Sequence, residues 1–557
     1  MIALVEVQNL SLQFEFTERD ILSDISFSLE QGESILVLGP SGCGKSTLTL
    51  CLNGLYPREL DGAISGEILI NGKLTTSYKP GELSRHVGVV FQDPETQFCM
   101  LSVEDEIAFG LENISVPREE IEKRIDYALH LVNMENFKQS TISTLSGGQK
   151  QKLAIACILA MKPSLLILDE PTANLDPIAR MDLIHTIKQL KNEIGFSLII
   201  IEHQLDQWTE LADRCLLLNK KGSVFYDGSL RQAIRSHQKE IEEEGIWLPK
   251  IAQQVLPYVG PDSRVIPLTL EEFAREAHLW SNTQWERNVE KIERETQDVF
   301  LECNDVSFTV NDQAILKNIS ITIQEQEFVA IVGANGSGKT TLSRILSGLQ
   351  RPTNGTVLLH GKAFHNWSEK EVRKEIGYVF QNPEHQFITN SVYDEIAFSL
   401  QMKGVDEIEI QQRVGRILKH FGLTAYSKEH PYTLSQGQKR RLSIGTMIVD
   451  EQKMLILDEP TFGQDATTNN EMMLMLDERY QTGSGIVMIT HDMELVQTYA
   501  DRIIVLYKGM VVADCTPNEL WQQPIEVLRE WGIDLPIQVK MQRLCEKEDH
   551  DYVLTST

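Results

Sequence analysis

A chain of 557 residues, 42% hydrophobic and 24% charged, is too long for one core and is expected to fold as two or more domains. Its 52 basic and 80 acidic residues leave a net charge of −28, which argues against a broad nucleic-acid surface, because polyanion binding draws on clustered Lys and Arg. No apolar run reaches bilayer length, no basic n-region opens the chain, and the 8 cysteines form no C-x-x-C pair, so a reduced, cytosolic chain without spans or signal peptide is expected.

From Val5 to Phe27 the pattern predicts short alternating strands with a turn near Thr17–Asp20. Ser34–Leu38 reads as a buried strand. The next stretch, Gly39-Pro40-Ser41-Gly42-Cys43-Gly44-Lys45-Ser46, fits G-x-x-x-x-G-K-[ST], and a helix opens at Thr47. Glycines let the backbone fold tightly, so that successive N–H groups and the helix N-terminus point at phosphate oxygens. Lys45 adds a charge for β- and γ-phosphates, and the Ser46 hydroxyl can ligate Mg²⁺. Gly66–Gly72 reads as a hairpin arm, and Val87–Phe91 as a buried strand leading into Gln92. Helical spacing covers Val103–Leu111 and Glu119–Leu131, and Leu145-Ser146-Gly147-Gly148-Gln149 opens a helix running to about Met161. Leu165–Leu168 is a buried strand ending in Asp169-Glu170; Ser197–Ile201 is another, ending in Glu202-His203.

The second half repeats this order. It contains Gly333-Ala334-Asn335-Gly336-Ser337-Gly338-Lys339-Thr340 followed by Thr341, then Gln381, Leu434-Ser435-Gln436-Gly437-Gln438, Asp458-Glu459 and His491. Lys339 follows Lys45 by 294 positions; Gln381, Ser435 and Asp458 follow Gln92, Ser146 and Asp169 by 289 each, and His491 follows His203 by 288. A solenoid would repeat every 20–50 residues or so, whereas this is one domain-sized unit written twice. The expected division is 1–257 and 299–557 for the two units, with 258–298 between them. In that intervening stretch Thr269–Leu279 has helical spacing, followed by Trp280, Trp285 and the charged run Glu286–Arg294, and a linker helix packed across the two units is expected.

Each half thus supplies a phosphate cradle, a metal anchor, a water-orienting base and a γ-phosphate sensor. Asp169 and Asp458 end apolar strands, where a carboxylate can hold a metal-bound water. Glu170 and Glu459 are placed to accept a proton from, or orient, an attacking water. His203 and His491 could hydrogen-bond a departing γ-phosphate, and Gln92 and Gln381 could reach the metal or the water through an amide.

These motifs, in this order, resemble the ATP-binding-cassette ATPases, and the resemblance covers both halves. It implies an α/β fold: two tandem nucleotide-binding domains, each a RecA-like P-loop core with an antiparallel β subdomain and a helical subdomain. It also implies that two cassettes close head to tail around two ATP molecules with Mg²⁺. Site one would join Lys45, Ser46, Gln92, Asp169, Glu170 and His203 to Ser435, Gly437 and Gln438. Site two would join Lys339, Thr340, Gln381, Asp458, Glu459 and His491 to Ser146, Gly147, Gly148 and Gln149. With the fusion, both sites form within one chain. The sequence departs from the family pattern in three places: Gln436 replaces a signature glycine; the stretch Thr461–Asp465 differs from Thr172–Asp176; and the adenine-stacking aromatic matches Phe14 in the first half but Val310 in the second. Two competent, unequal sites are expected.

The segments Val90–Phe98 and Val379–Phe387, each followed by Ser-Val-x-Asp-Glu-Ile-Ala-Phe (Ser102–Phe109, Ser391–Phe398), are similar to the ATPases of energy-coupling-factor importers, and the fused arrangement most resembles the double ATPases of hydroxymethylpyrimidine uptake. That resemblance implies a groove for helices of a transmembrane scaffold, with a further membrane subunit binding the substrate, and a peripheral location on the cytoplasmic face of the cell membrane. Glu95 and Glu384 are the candidates for charge-assisted contacts with arginines of that partner. The alternative is a soluble double-cassette factor acting on ribosomes, for which a long basic-leaning linker would be expected. The sequence has neither the coiled-coil insertions of DNA-repair relatives nor the membrane spans of an exporter.

Overall fold

The computed structural model describes residues 3–15, 19–79, 81–173, 175–259, 266–280, 298–450, 452–461 and 463–546. Among these residues ten strands in each half build two sheets. In the first half they are β1 (Val5–Phe14), β2 (Asp20–Leu29), β3 (Ser34–Leu38), β4 (Gly62–Ile70), β5 (Lys73–Leu74), β6 (Val87–Val90), β7 (Leu165–Asp169), β8 (Ser197–Ile201), β9 (Arg214–Leu218) and β10 (Val224–Gly228). Strands β3, β6, β7 and β8 are buried at every position, as expected for strands covered on both faces. They pair in parallel in a six-stranded sheet of order β10-β9-β3-β8-β7-β6, closed at one edge by antiparallel β10. The longer, alternately buried β1 and β2 form an antiparallel sheet of order β2-β1-β4-β5. The expected hairpin arm is the β4–β5 pair.

The second half uses β11 (Val299–Val310), β12 (Gln313–Gln324), β13 (Phe328–Val332), β14 (Asn354–Leu359), β15 (Lys362–Ala363), β16 (Ile376–Val379), β17 (Met454–Asp458), β18 (Gly485–Ile489), β19 (Arg502–Tyr507) and β20 (Met510–Cys515). Its sheets, β12-β11-β14-β15 and β16-β17-β18-β13-β19-β20, repeat the first two strand for strand. Parallel order gathers the motif residues, because chain leaving the carboxyl ends of neighbouring strands converges on one edge. In register, Asp169 pairs with Ile201 and Asp458 with Ile489, so the acids and the chain entering the histidines sit side by side.

Helices Val103–Asn113, Arg118–Leu131 and Gly147–Ala160 form the helical part of the first half, and Val392–Met402, Glu407–His420 and Gln436–Ile448 that of the second. Their apolar faces run into the parallel sheets: Ile107, Leu129 and Leu153 share a core with Leu36, Val90 and Leu166. Within the intervening stretch, Thr269 caps a short helix, Leu270–Arg275, through its side chain. Phe273 and Trp280 from this stretch pack with Ile251 and Val255 from the first half's tail and Ile537, Met541 and Leu544 from the second's. The two tails therefore share one core. Trp285, the run Glu286–Arg294 and residues 17 and 18 of the expected turn lie outside the described residues.

Candidate active site

Both phosphate loops lie between a buried parallel strand and a helix N-terminus, Lys45–Leu52 in the first half and Lys339–Leu346 in the second. Gly44 (φ 96°) and Gly338 (φ 102°) make the last bend into the helix in the left-handed region. A Cβ on Gly44 would lie 2.6 Å from Leu22 Cδ2, and one on Gly338 2.7 Å from Leu316 Cδ2, so glycine is required twice over. The lysines are buried and curl back over their own loops. Lys45 Nζ donates to the carbonyls of Gly39 (2.8 Å) and Pro40 (2.9 Å), and Lys339 Nζ to those of Gly333 (2.8 Å) and Ala334 (2.9 Å). Burial lowers the Lys339 pKa, opposed by the carboxylates of Glu459, Asp176 and Asp458.

Beside each loop stands the aspartate–glutamate pair. Asp169 is pushed up to about 6 by burial, opposed by a hydrogen bond from Ser46; Asp458 is raised in the same way, opposed by Thr340. Tyr378 Oη also donates to Asp458 Oδ2 at 3.4 Å. Among the described residues the Oδ1 atoms of Asp169 and Asp458 are buried without a hydrogen-bond partner. An orphaned carboxylate oxygen next to a hydroxyl that already faces the same aspartate fits Mg²⁺, a hard cation taking oxygen ligands from protein, phosphate and water.

Glu170 (φ 49°) and Glu459 (φ 50°) both occupy the left-handed region, unusual for a residue with a side chain, and each amide is held by the neighbouring strand, Glu170 N on Ile201 O (2.9 Å) and Glu459 N on Ile489 O (3.0 Å). Their surroundings differ. Gln92 Nε2 donates to Glu170 Oε2 (2.9 Å), and His203 Nε2 lies 3.0 Å from Glu170 Oε1. Burial raises this carboxyl, but His203 and Lys45 outweigh it and leave it below its ordinary range. In the second half His491 Nε2 is 3.3 Å from Glu459 Oε1, and the Gln381 side chain is exposed. Burial, assisted by Asp458 and opposed by Lys339, pushes Glu459 up to about 8, and burial holds His491 well below its ordinary pKa.

The signature stretches are helix N-termini. Ser146 and Ser435 cap their helices, each closing a capping box with Gln149 or Gln438. Gly437 is buried against the other half's phosphate loop: a Cβ on it would stand 3.4 Å from Ser41 Cβ, and one on Gly42 would stand 3.9 Å from Ser435 Oγ. Gln436 is exposed. Gly148, by contrast, lies against Leu175 and Ala179 of its own half. Phe14, at the end of β1, stacks on Tyr56 at 6.2 Å, while Val310, at the end of β11, is exposed.

The aspartates that end the compared stretches Thr172–Asp176 and Thr461–Asp465, given no role by the sequence, join the halves. Asp465 accepts from Thr468 N at its own helix start (2.8 Å) and from Ser41 N across the interface (3.2 Å); Asp176 does the same with Ala179 N (2.9 Å) and Asn335 N (3.1 Å). An Asp one residue before the helical run, followed by Pro177 in the first half, is an N-cap signal that could have found them. Ser41 Oγ also donates to Gly463 O (3.3 Å), and Trp247 Nε1 to Gln464 O (2.9 Å). Glu95 and Glu384, expected as open partner contacts, are already engaged: Lys150 donates to Glu95 and Lys439 to Glu384 (2.6 Å), from the first turn of each signature helix. The Glu95 side chain still keeps 64% of its exposure, against 32% for Glu384.

Two phosphate loops, each on the carboxyl edge of a parallel sheet and each touched by the other half, define a tandem P-loop ATPase. The chain belongs to the ABC transporter family, whose model matches residues 22–173 and 316–462, and it is an ATP-binding, ATP-hydrolysing enzyme. It is 42% identical over 554 residues to a Bacillus subtilis protein bearing the name HMP/thiamine import ATP-binding protein YkoD, covering 99% of both chains. It is 36% identical over 562 residues to an ABC transporter ATP-binding protein of Methanosarcina mazei, covering 99% of this chain and 95% of the other. A solved structure of cbiO1 from Clostridium perfringens, part of the cbiONQ transporter complex, aligns at 32% identity with a TM-score of 0.39, covering 44% of this chain and 94% of that one.

Proposed function

We propose that this chain is the energy-coupling ATPase of a membrane importer, of the energy-coupling-factor type, serving a vitamin, a vitamin precursor or a metal ion. Residues 1–257 and 299–557 act as its two ATPase domains and 258–298 as their linker. It works at the cytoplasmic face of the membrane, docked on a transmembrane scaffold that carries a substrate-binding subunit. Among the described residues no helix is long and apolar enough to cross a bilayer, so in this reading translocation needs that scaffold.

The observation that carries the reading is the repeated surface beside each signature helix. Glu95 and Glu384 sit there, each paired with a lysine of the helix, and an exposed apolar side chain follows each along the chain, Leu101 (83%) in the first half and Ile388 (67%) in the second. An acid flanked by apolar surface suits a partner helix with one cationic and one apolar face. The name borne by the Bacillus subtilis relative, an import protein for HMP/thiamine, supports the same class of cargo.

In each site the phosphate-loop lysine exchanges its loop carbonyls for β- and γ-phosphate oxygens, and the loop amides line the phosphate chain. Glu170 and Glu459 orient the attacking water and take its proton, and His203 and His491 hold those carboxyls in place. A Mg²⁺ held by Ser46, Asp169 and Gln92, or by Thr340, Asp458 and Gln381, would neutralise charge on the phosphates. Closure around two ATP molecules and reopening after hydrolysis passes motion to the partner grooves.

A tagged pull-down from gently solubilised native membranes tests the reading. Copurification of a multi-spanning scaffold and a small membrane-embedded binder is expected. Ribosomal proteins with no membrane partner would overturn it.

A further inference from the structure

The two signature helices differ in one stripe of side chains. On the second helix Arg440, Ser443 and Thr446 succeed one another at three-residue spacing; the matching positions on the first helix are Gln151, Ala154 and Cys157. Arg440, 3% exposed, donates from Nη1 to Phe380 O (2.6 Å) and from Nη2 to Gln381 O. Ser443 Oγ donates to Gln386 Oε1 (2.7 Å), and Gln386 Nε2 returns bonds to Ser443 O (2.9 Å) and Thr446 Oγ1. The chain from Phe380 to Gln386 is thereby zipped onto the helix.

The first half lacks these donors. Gln151 is buried with its Nε2 unpartnered among the described residues, and Gln97, the counterpart of Gln386, turns back to its own strand, accepting from Phe91 N (3.0 Å) and donating to Val89 O (3.0 Å). Among the described residues the polar tie from segment to helix there is the Lys150–Glu95 pair, which is largely exposed on the Glu95 side and therefore worth little.

The second helix faces two nucleotide sites at once. Its N-terminus, Ser435 and Gly437, lies on the first phosphate loop, whereas its stripe grips the backbone of Gln381, which belongs to the second site. Arg440 keeps its charge: burial lowers its pKa only to about 10, with Glu459 and Asp458 opposing.

We propose that the Arg440–Ser443–Thr446 stripe couples the two ATP sites through the second signature helix, with Arg440 as its main positioning residue. This rests on the proposed function and on the head-to-tail ATP sites that the family resemblance implies. ATP drawn onto Ser435 and Gly437 at site one shifts the helix, and the stripe carries that shift to Gln381 at site two. Among the described residues the first helix makes no such fork of bonds to the chain, so the coupling runs through the second helix.

Steady-state ATP turnover of the purified full-length chain against ATP concentration, with a thermal melt alongside, tests this. The wild type is expected to show a Hill coefficient above 1, with 2 as the ceiling for two sites. The triple replacement Arg440→Gln, Ser443→Ala and Thr446→Cys copies a stripe that this chain already folds, and is expected to bring the coefficient to about 1 while the melting temperature holds. Arg440→Lys, which cannot fork onto two carbonyls, is expected to fall between the two. Should the triple variant fold poorly, the reciprocal Gln151→Arg with Ala154→Ser, which builds the missing grip, is expected to raise the coefficient. A wild-type coefficient of 1, or variants that melt early without any change in cooperativity, would overturn the proposal. Lys45→Ala and Lys339→Ala in the same assay separate this from the underlying reading: if neither lowers turnover, the composite sites fail, whatever the stripe does.

Discussion

Glu170 and Glu459 carry the same name, the same strained backbone and the same strand register, yet their charge states differ. The first is stabilised as a carboxylate by Gln92 and His203; the second is buried beside Asp458 with a His491 whose ring burial keeps neutral. The base form orients water, so a site with a depressed pKa is ready at neutral pH and a site at about 8 gains activity as pH rises. Glu459→Gln, which leaves site one, should therefore give turnover nearly flat from about pH 6 to 9, and Glu170→Gln, which leaves site two, turnover that climbs through about pH 8. Stability runs in the opposite direction. A carboxyl whose folded pKa is raised contributes fully below its unfolded value and loses that contribution as pH rises through the folded value. Melting scans should thus show Glu459→Gln gaining more over wild type at pH 9 than at pH 6. Loss of the charge-assisted Ser41–Asp465 bond in Asp465→Ala should cost about 1.5–3 kcal/mol of closure, read as a rise of roughly tenfold or more in the ATP concentration for half-maximal turnover.

At the scale of elements, local chemistry was legible and partner choice was not. Each phosphate loop, each Asp-Glu pair and each signature stretch is encoded within about ten residues by strand, turn and helix signals, and the structure places them on strand ends and helix starts as those signals imply. Ser146 and Ser435 carried a second message, the S-x-x-Q capping box, which the phosphate reading of the motif overshadowed. The lysines on Glu95 and Glu384 and the stripe headed by Arg440 join residues 55 to 60 positions apart, and no pattern along the chain announces a side-chain pairing of that kind. The intervening helix sits between these cases: its spacing and a packing across the two units were readable, but not that it is the two tails it meets, through Phe273, which is fully buried. Phe273→Ala should cost about 3–5 kcal/mol in a denaturant melt, a loss that an exposed linker helix would not show.

For the whole molecule, duplication within one chain removes the symmetry that two identical subunits would enforce. The halves still meet reciprocally through Asp465 on Ser41 and Asp176 on Asn335, and Lys250 of the first tail reaches Asp492 (3.7 Å) and Glu494 (3.5 Å) just beyond His491. Freed from identity, each half has diverged at Gln92 and Gln381, at Phe14 and Val310, and along the signature helix. In the proposed reading, site one depends on the first phosphate loop and the second signature stretch facing each other inside a single chain. The gap between a Cβ on Gly437 and Ser41 Cβ, 3.4 Å, is close to the span of a disulfide, about 3.5–4.5 Å. The most direct measurement is oxidation of a dilute Ser41→Cys, Gly437→Cys double variant, with peptide mapping of the product. An intramolecular crosslink joining residues 41 and 437 is predicted. A crosslink formed only between two chains, or none at all, would contradict composite sites within one chain.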